Sequence, residues 1–180
     1  YSLVIAVSGN SIAQTTAAVL QVGNGFGTAN SAETNANVYA RFGINFTATD
    51  GTFTLRDIGS STNSSNLSGA QSIIWYINNT GSTVTYTGPD GSSETVADDT
   101  WDLWAGTTKI FNDKSATTTT QLMTDLKFAF TAGSGSIILD NFLIYGATDG
   151  SLPVELTSFT SNVVGNKVEL NWQTATEVNN

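Results

Sequence analysis

Histidine and cysteine are both absent from this 180-residue chain, so any chemistry it does must come from carboxylates, amides, hydroxyls and aromatic rings. Without them there is no Ser–His or Cys–His pair to activate a nucleophile. Thiolate and imidazole metal ligands are missing as well. Carboxylates remain, and two of them can hydrolyse a glycosidic bond. Here, however, most of the candidate acids (Glu33, Asp50, Asp57, Asp90, Glu94, Asp98, Asp99, Asp102, Asp113, Asp125 and Asp140) sit next to Gly, Ser or Thr. There Asp is a turn former, bonding the backbone two residues on. This pattern predicts a protein that is not an enzyme and has no catalytic residues.

Two binding chemistries are still open. Flat aromatic faces stack on sugar rings, and Trp75, Tyr76, Trp101 and Trp104, with Tyr86 nearby, are the candidates. Side chains alternate across a strand, so Trp101 and Trp104, three apart, should point to opposite faces, and Trp75 and Tyr76 likewise. One member of each pair is expected to look outward. The competing reading is that these rings simply fill a core. The second chemistry is calcium, which wants several oxygen ligands. Asp140 with Asn141, and Asp98 with Asp99, are the candidate ligands, although no D-x-D-x-D-G loop is present. Their alternative role is to cap loops or face water.

The net charge is −9, with only six Lys and Arg. Binding to phosphate backbones needs clustered cations, so nucleic acid is not an expected partner. No apolar run reaches the roughly 18 residues of a membrane helix, and membrane insertion is not expected. Charged residues make up 12% of the chain, about half the usual share, with Ser, Thr, Asn and Gly in their place. A polar, uncharged surface of this kind suits an extracellular location.

Secondary structure follows the period-two pattern. In "VYARFGINF" (38–46), Val38, Ala40, Phe42, Ile44 and Phe46 fall on one face. Tyr39, Arg41, Gly43 and Asn45 fall on the other, which predicts a strand with one buried and one wet face. "SLVIAV", "AAVLQV", "TFTLR", "IIWYI", "TVTYT", "TWDLW" and "LKFAF" read as further strands bounded by Gly, Asn and Ser turns. "SIILDNFLIYG" (136–146) is apolar on both faces, as a central strand would be. About nine such strands predict an all-β fold, an antiparallel jelly-roll-like sandwich. "GSSTNSSNLSG" (59–69) and "SATTTT" (115–120) read as exposed loops.

Composition shifts at "GATDGSLP", placing the sandwich at residues 1–147 and a linker at 148–153. After it, Val154 and Leu156, then Val168, Leu170 and Trp172, alternate around a turn at Gly165-Asn166. With Phe159 these residues predict a C-terminal β-hairpin that has an apolar face and nothing in the sequence to cover it.

The run "LPVELTSFTSNVVGNKVELNWQTATEVNN" (152–180) resembles a segment of secreted and surface proteins of Bacteroidetes-type bacteria, where it opens a fibronectin-III-like domain ahead of a type IX secretion sorting domain. The resemblance implies that residues 154–180 are the first strands of such a segment. "VLQVGNGFGT", "DLWAGTTKIFND" and "SIILDNFLIYG" are similar to sugar-binding and laminin-G-like sandwiches, in which Asp140 would be the acid of the last strand. The resemblance implies a secreted, non-catalytic cell-surface module for adhesion or carbohydrate binding, with a glycan as partner. The alternative is a structural subunit that polymerises with copies of itself. In that case Val154, Leu156, Phe159, Val168, Leu170 and Trp172 would complete a neighbour's sheet by strand addition, giving a filament.

Overall fold

The computed structural model describes residues 1–146 in full and the backbone of residues 154–164 and 167–177. Thirteen strands build the first unit, Tyr1–Leu143: β1 (Ser2–Ser8), β2 (Gln14–Gly23), β3 (Val38–Phe46), β4 (Thr52–Asp57), β5 (Thr62–Asn63), β6 (Leu67–Ser68), β7 (Gln71–Asn78), β8 (Val84–Thr87), β9 (Ser93–Val96), β10 (Thr100–Ala105), β11 (Thr108–Ser115), β12 (Asp125–Phe130) and β13 (Ser136–Leu143). One 3₁₀ turn, Asn35–Asn37, precedes β3, and no α-helix occurs among the described residues. The protein is an antiparallel, jelly-roll-like β-sandwich, as the alternating sequence predicts. One sheet runs β11-β10-β7-β1-β13 and the other β12-β2-β3-β4-β5, with β6 also on β4.

The two inner faces meet in one core. Leu3, Ile5, Val7, Ile73, Trp75, Trp101 and Leu103 from the first sheet pack against Leu20, Val22, Phe42, Ile44, Phe53 and Leu55 from the second. Aromatic rings form its spine. Phe42 meets Trp75 at 5.1 Å and 87°, Trp75 meets Trp101 at 6.1 Å and 89°, and Trp101 meets Phe111 at 5.7 Å and 89°. Each edge-to-face pair contributes about 0.5–1.5 kcal/mol beyond area burial. Backbone corners are fixed by buried amides. Asn10, fully buried, donates to the carbonyls of Thr47, Thr49 and Thr52 at 2.9–3.0 Å and accepts from Gly51 N–H at 2.9 Å. Gly23 ends β2 where a Cβ would stand 1.9 Å from the Asn37 carbonyl, so only glycine lets the two backbones approach.

Three sequence expectations are corrected. The outer face of β3 is not wet: Tyr39, Gly43 and Asn45 are buried and Arg41 half-buried. Connections cover it. Asn45 donates to Thr54 and Asn63 and accepts from Thr16 N–H, while the Glu33 N–H donates to Gln21 on β2. The stretch at residues 59–69 is not all loop, because β5 and β6 pair with β4 within it. The apolar β13 is an edge strand rather than a central one, paired only with β1 in its sheet, and Ile138 on its outer face is 56% exposed.

The second unit, Ile144–Asn180, contains β14 (Val154–Val164) and β15 (Lys167–Glu177), antiparallel partners in a two-stranded sheet. Register pairs Val163 with Val168, Ser161 with Leu170, Phe159 with Trp172, and Leu156 with Thr174. Leu156 and Phe159 are three apart, and a register shift between Leu156 and Ser158 sets both opposite the even-numbered row of β15. The assembly roles predicted for Val154, Leu156, Phe159, Val168, Leu170 and Trp172 concern side chains that lie outside the described residues.

Candidate functional site

Of the four aromatics expected to meet ligand, three are sealed. Trp75 is 0% exposed, and Trp101 and Trp104 are 1% each. The alternation itself holds. Trp101, Leu103 and Ala105 join the core, whereas Trp104 and Asp102 lie on the other side of β10. That side is covered by the hairpin β8–β9, whose register runs Val84↔Val96 to Thr87↔Ser93. The Trp104 indole donates to the Tyr86 hydroxyl at 3.0 Å, and Tyr86 donates to Asp102 at 2.5 Å. Tyr76 is half-buried, and its ring is stacked on Tyr86 at 3.8 Å. The outward rings of β7 and β10 are therefore covered by a hairpin that lies between those strands in sequence, and the expected stacking platform does not form.

Beneath the lid lies a closed ionic knot. Asp102, fully buried, pairs with Lys109 at 3.0 Å and accepts from Asp113 N–H at 2.7 Å. Lys109 also reaches Glu94 at 2.7 Å and sits 5.3 Å over the Trp104 ring. Burial opposes the lysine's charge, but its bonds to Glu94 and Asp102 outweigh this and leave its pKa raised. The Tyr86 hydroxyl is raised by burial and by its bond to Asp102. Every charge here has a close partner, so the cluster acts as a structural tie.

The expected calcium ligands are not brought together. Asp98 accepts from Gly81 N–H at 2.8 Å and Asp99 from the Tyr39 hydroxyl at 2.9 Å, both in the connection before β10. Asp140 and Asn141 lie on β13, beyond β7 and β1 in the sheet order, where Asp140 accepts the Asn141 N–H at 2.7 Å. No group of three acidic, His or Cys side chains that could hold a metal occurs among the described residues.

What the fold does open is a cleft of about 560 Å³. Pairing of β3 with β4 runs from Phe46↔Phe53 only to Gly43↔Arg56. Beyond that point β4 turns to β5, and the residues after β11 fill part of the gap through a Thr117 N–H to Tyr39 carbonyl bond of 2.6 Å. Arg41, Asp57, Ser60, Asp113, Lys114 and Asn35 line the space, with Trp101 at its inner wall.

The two carboxylates are already occupied. Asp57 accepts from Gly59 N–H at 3.0 Å, from Ser60 N–H at 3.3 Å and from the Ser60 hydroxyl. Asp113 accepts from Ala97 N–H, Thr100 and Asn112 at 2.9–3.2 Å. The cations are not so well served. Lys114 stands 4.0 Å from Asp57. Arg41 donates to the Asn35 amide oxygen at 2.7 Å, makes no ion pair among the described residues, and keeps Nε buried without a hydrogen-bond partner. Burial lowers its guanidinium pKa.

Sequence reading placed Arg41 on a solvated face and did not single out Lys114. The signal was slight: a guanidinium set among the apolar residues of "VYARFGINF" in a chain with six basic residues. The site depends on segments around 41, 57 and 114, which no local motif connects. No family model, curated protein or solved structure matches the chain.

Proposed function

We propose that this protein is a secreted, non-catalytic cell-surface module that binds carbohydrate, and that the Arg41–Asp57–Lys114 cleft is its binding site. The cleft carries the reading. Its volume suits a small ligand, and its wall combines hydroxyl, amide and charged groups backed by the buried Trp101, the mixture that fixes an oriented polyol. Its carboxylates each accept three hydrogen bonds from backbone, hydroxyl and amide donors, which favours a structural over a catalytic role for both. The resemblance of 152–180 to surface-protein segments supports the extracellular location.

A glycan array followed by isothermal titration tests the reading, with Trp101 fluorescence as a reporter at the cleft wall. Binding that shifts Trp emission and weakens in Asp57→Ala or Lys114→Met supports it. Silence across neutral and acidic glycans overturns it.

Assembly through the terminal ribbon is the second reading. It is supported by the two-stranded sheet of β14 and β15, since two strands are marginal in water without a cover. Particle size in solution tests it: growth with concentration supports it, and a concentration-independent monomer removes it.

A further inference from the structure

We infer that the cleft selects a sugar bearing a carboxylate, so that its ligands are acidic glycans of the uronate type; this rests on the cleft being the glycan site. Lys109 and Lys127 are held by carboxylates at 2.5–3.0 Å, whereas Arg41 has only a neutral amide oxygen. A half-buried guanidinium without a counter-ion is costly, and its planar fork matches a carboxylate with two parallel N–H···O bonds. Nε is buried without a partner and one Nη donates to Asn35, while the residue lines the cleft. Lys114, loosely paired and 28% exposed, lies in the same wall and adds a second positive charge. Asp57 and Asp113 keep their negative charges, but Asp57 lies against Lys114 at 4.0 Å and neither carboxylate pairs with Arg41 among the described residues. The overall charge of −9 does not forbid an acidic ligand. At about 0.15 M salt the screening length is roughly 8 Å, so the ligand's acid group feels mainly its nearest neighbours.

The probes are oligogalacturonate and alginate oligomers, their carboxyl-reduced neutral forms, and a sulfated neutral oligomer of equal length, titrated at physiological salt. The acidic forms are expected to bind about tenfold or more tightly than the reduced ones, the size of a charge-assisted bidentate contact. Arg41→Gln should abolish that preference, bringing the ratio of acidic to reduced binding to about one, and Lys114→Met should diminish it, with near-ultraviolet circular dichroism verifying the core of each variant. Should Arg41→Gln not fold, the wild-type ratio and Lys114→Met still decide. Equal binding of acidic and reduced forms, or equal binding of the sulfated oligomer, overturns the carboxylate while leaving the glycan site standing. Failure of every probe overturns both.

Discussion

Tyr86 on β8 donates its hydroxyl to the buried carboxylate of Asp102 on β10, and this 2.5 Å bond ties the covering hairpin to the sheet beneath it. The same hydroxyl accepts from Trp104 Nε1, so one oxygen serves the lid, the ring and the ion pair. Tyr86→Phe would leave a buried carboxylate oxygen and an indole N–H each short of a partner. The expected loss is about 1–3 kcal/mol, read as a lower urea midpoint with unchanged slope. Trp104 emission should shift to the red if the hairpin lifts.

Asp102→Ala removes more. It takes away one of the two carboxylates bonded to the Lys109 ammonium, leaving only Glu94, and frees the Asp113 N–H and the Tyr86 hydroxyl. Breaking one side of a buried pair costs about 3–5 kcal/mol, a fall in Tm of roughly 10 °C or more for a domain of this size. The double variant Asp102→Leu, Lys109→Met should recover part of that loss in thermal melts, since the fully buried carboxylate and its cation leave together and the Glu94 left behind is partly exposed.

Asn10 should be nearly irreplaceable. Asn10→Asp keeps the shape but turns a donor into an anion facing the carbonyls of Thr47, Thr49 and Thr52. It is expected to cost about 3 kcal/mol or more at neutral pH. If chemical denaturation places it within experimental error of wild type, the three-carbonyl clamp is not holding the corner.

Stability should fall at both ends of the pH scale. Glu94 and Glu33 have lowered pKa values, chiefly through their bonds to Lys109 and Lys127, and Asp90 through Ser92. A carboxyl depressed on folding contributes stability above its unfolded pKa, near 4, and loses it as pH drops through the folded value. Tyr39 and Tyr86 are raised, first by burial and then by Asp99 and Asp102. Their contribution is present below about pH 10 and is lost as pH rises toward the folded value. With no histidine in the chain, melts recorded across pH should show no step from imidazole titration near 6.5.

A chain ending at residue 147 should keep a cooperative thermal transition and its β-sheet circular dichroism, because among the described residues the core cluster is built from the first unit. Global unfolding of that fragment would place the boundary elsewhere.

Strand identity was legible because period two survives wherever one face meets the core, as in 38–46. Exposure was not. Trp104 faces away from the core as its spacing from Trp101 requires, yet it is buried by Tyr86 and Gly88, whose packing on it no periodicity encodes. Likewise β13 reads as central from its apolar content, although its place at an edge is decided by pairing with β1 alone in that sheet. The cleft was the least legible feature. It arises where β4 parts from β3 after Gly43, and its charges come from three separated segments.

The register between β1 and β13 also has a mechanical side. Ser2 stands opposite Leu143, so both ends of the first unit lie at one end of the same strand pair. Tension applied through those ends would load the ladder like a zipper, parting its hydrogen bonds one after another instead of shearing them together. Under flow such a module would yield at low force from β13 inward, giving up slack before the remaining strands feel the load.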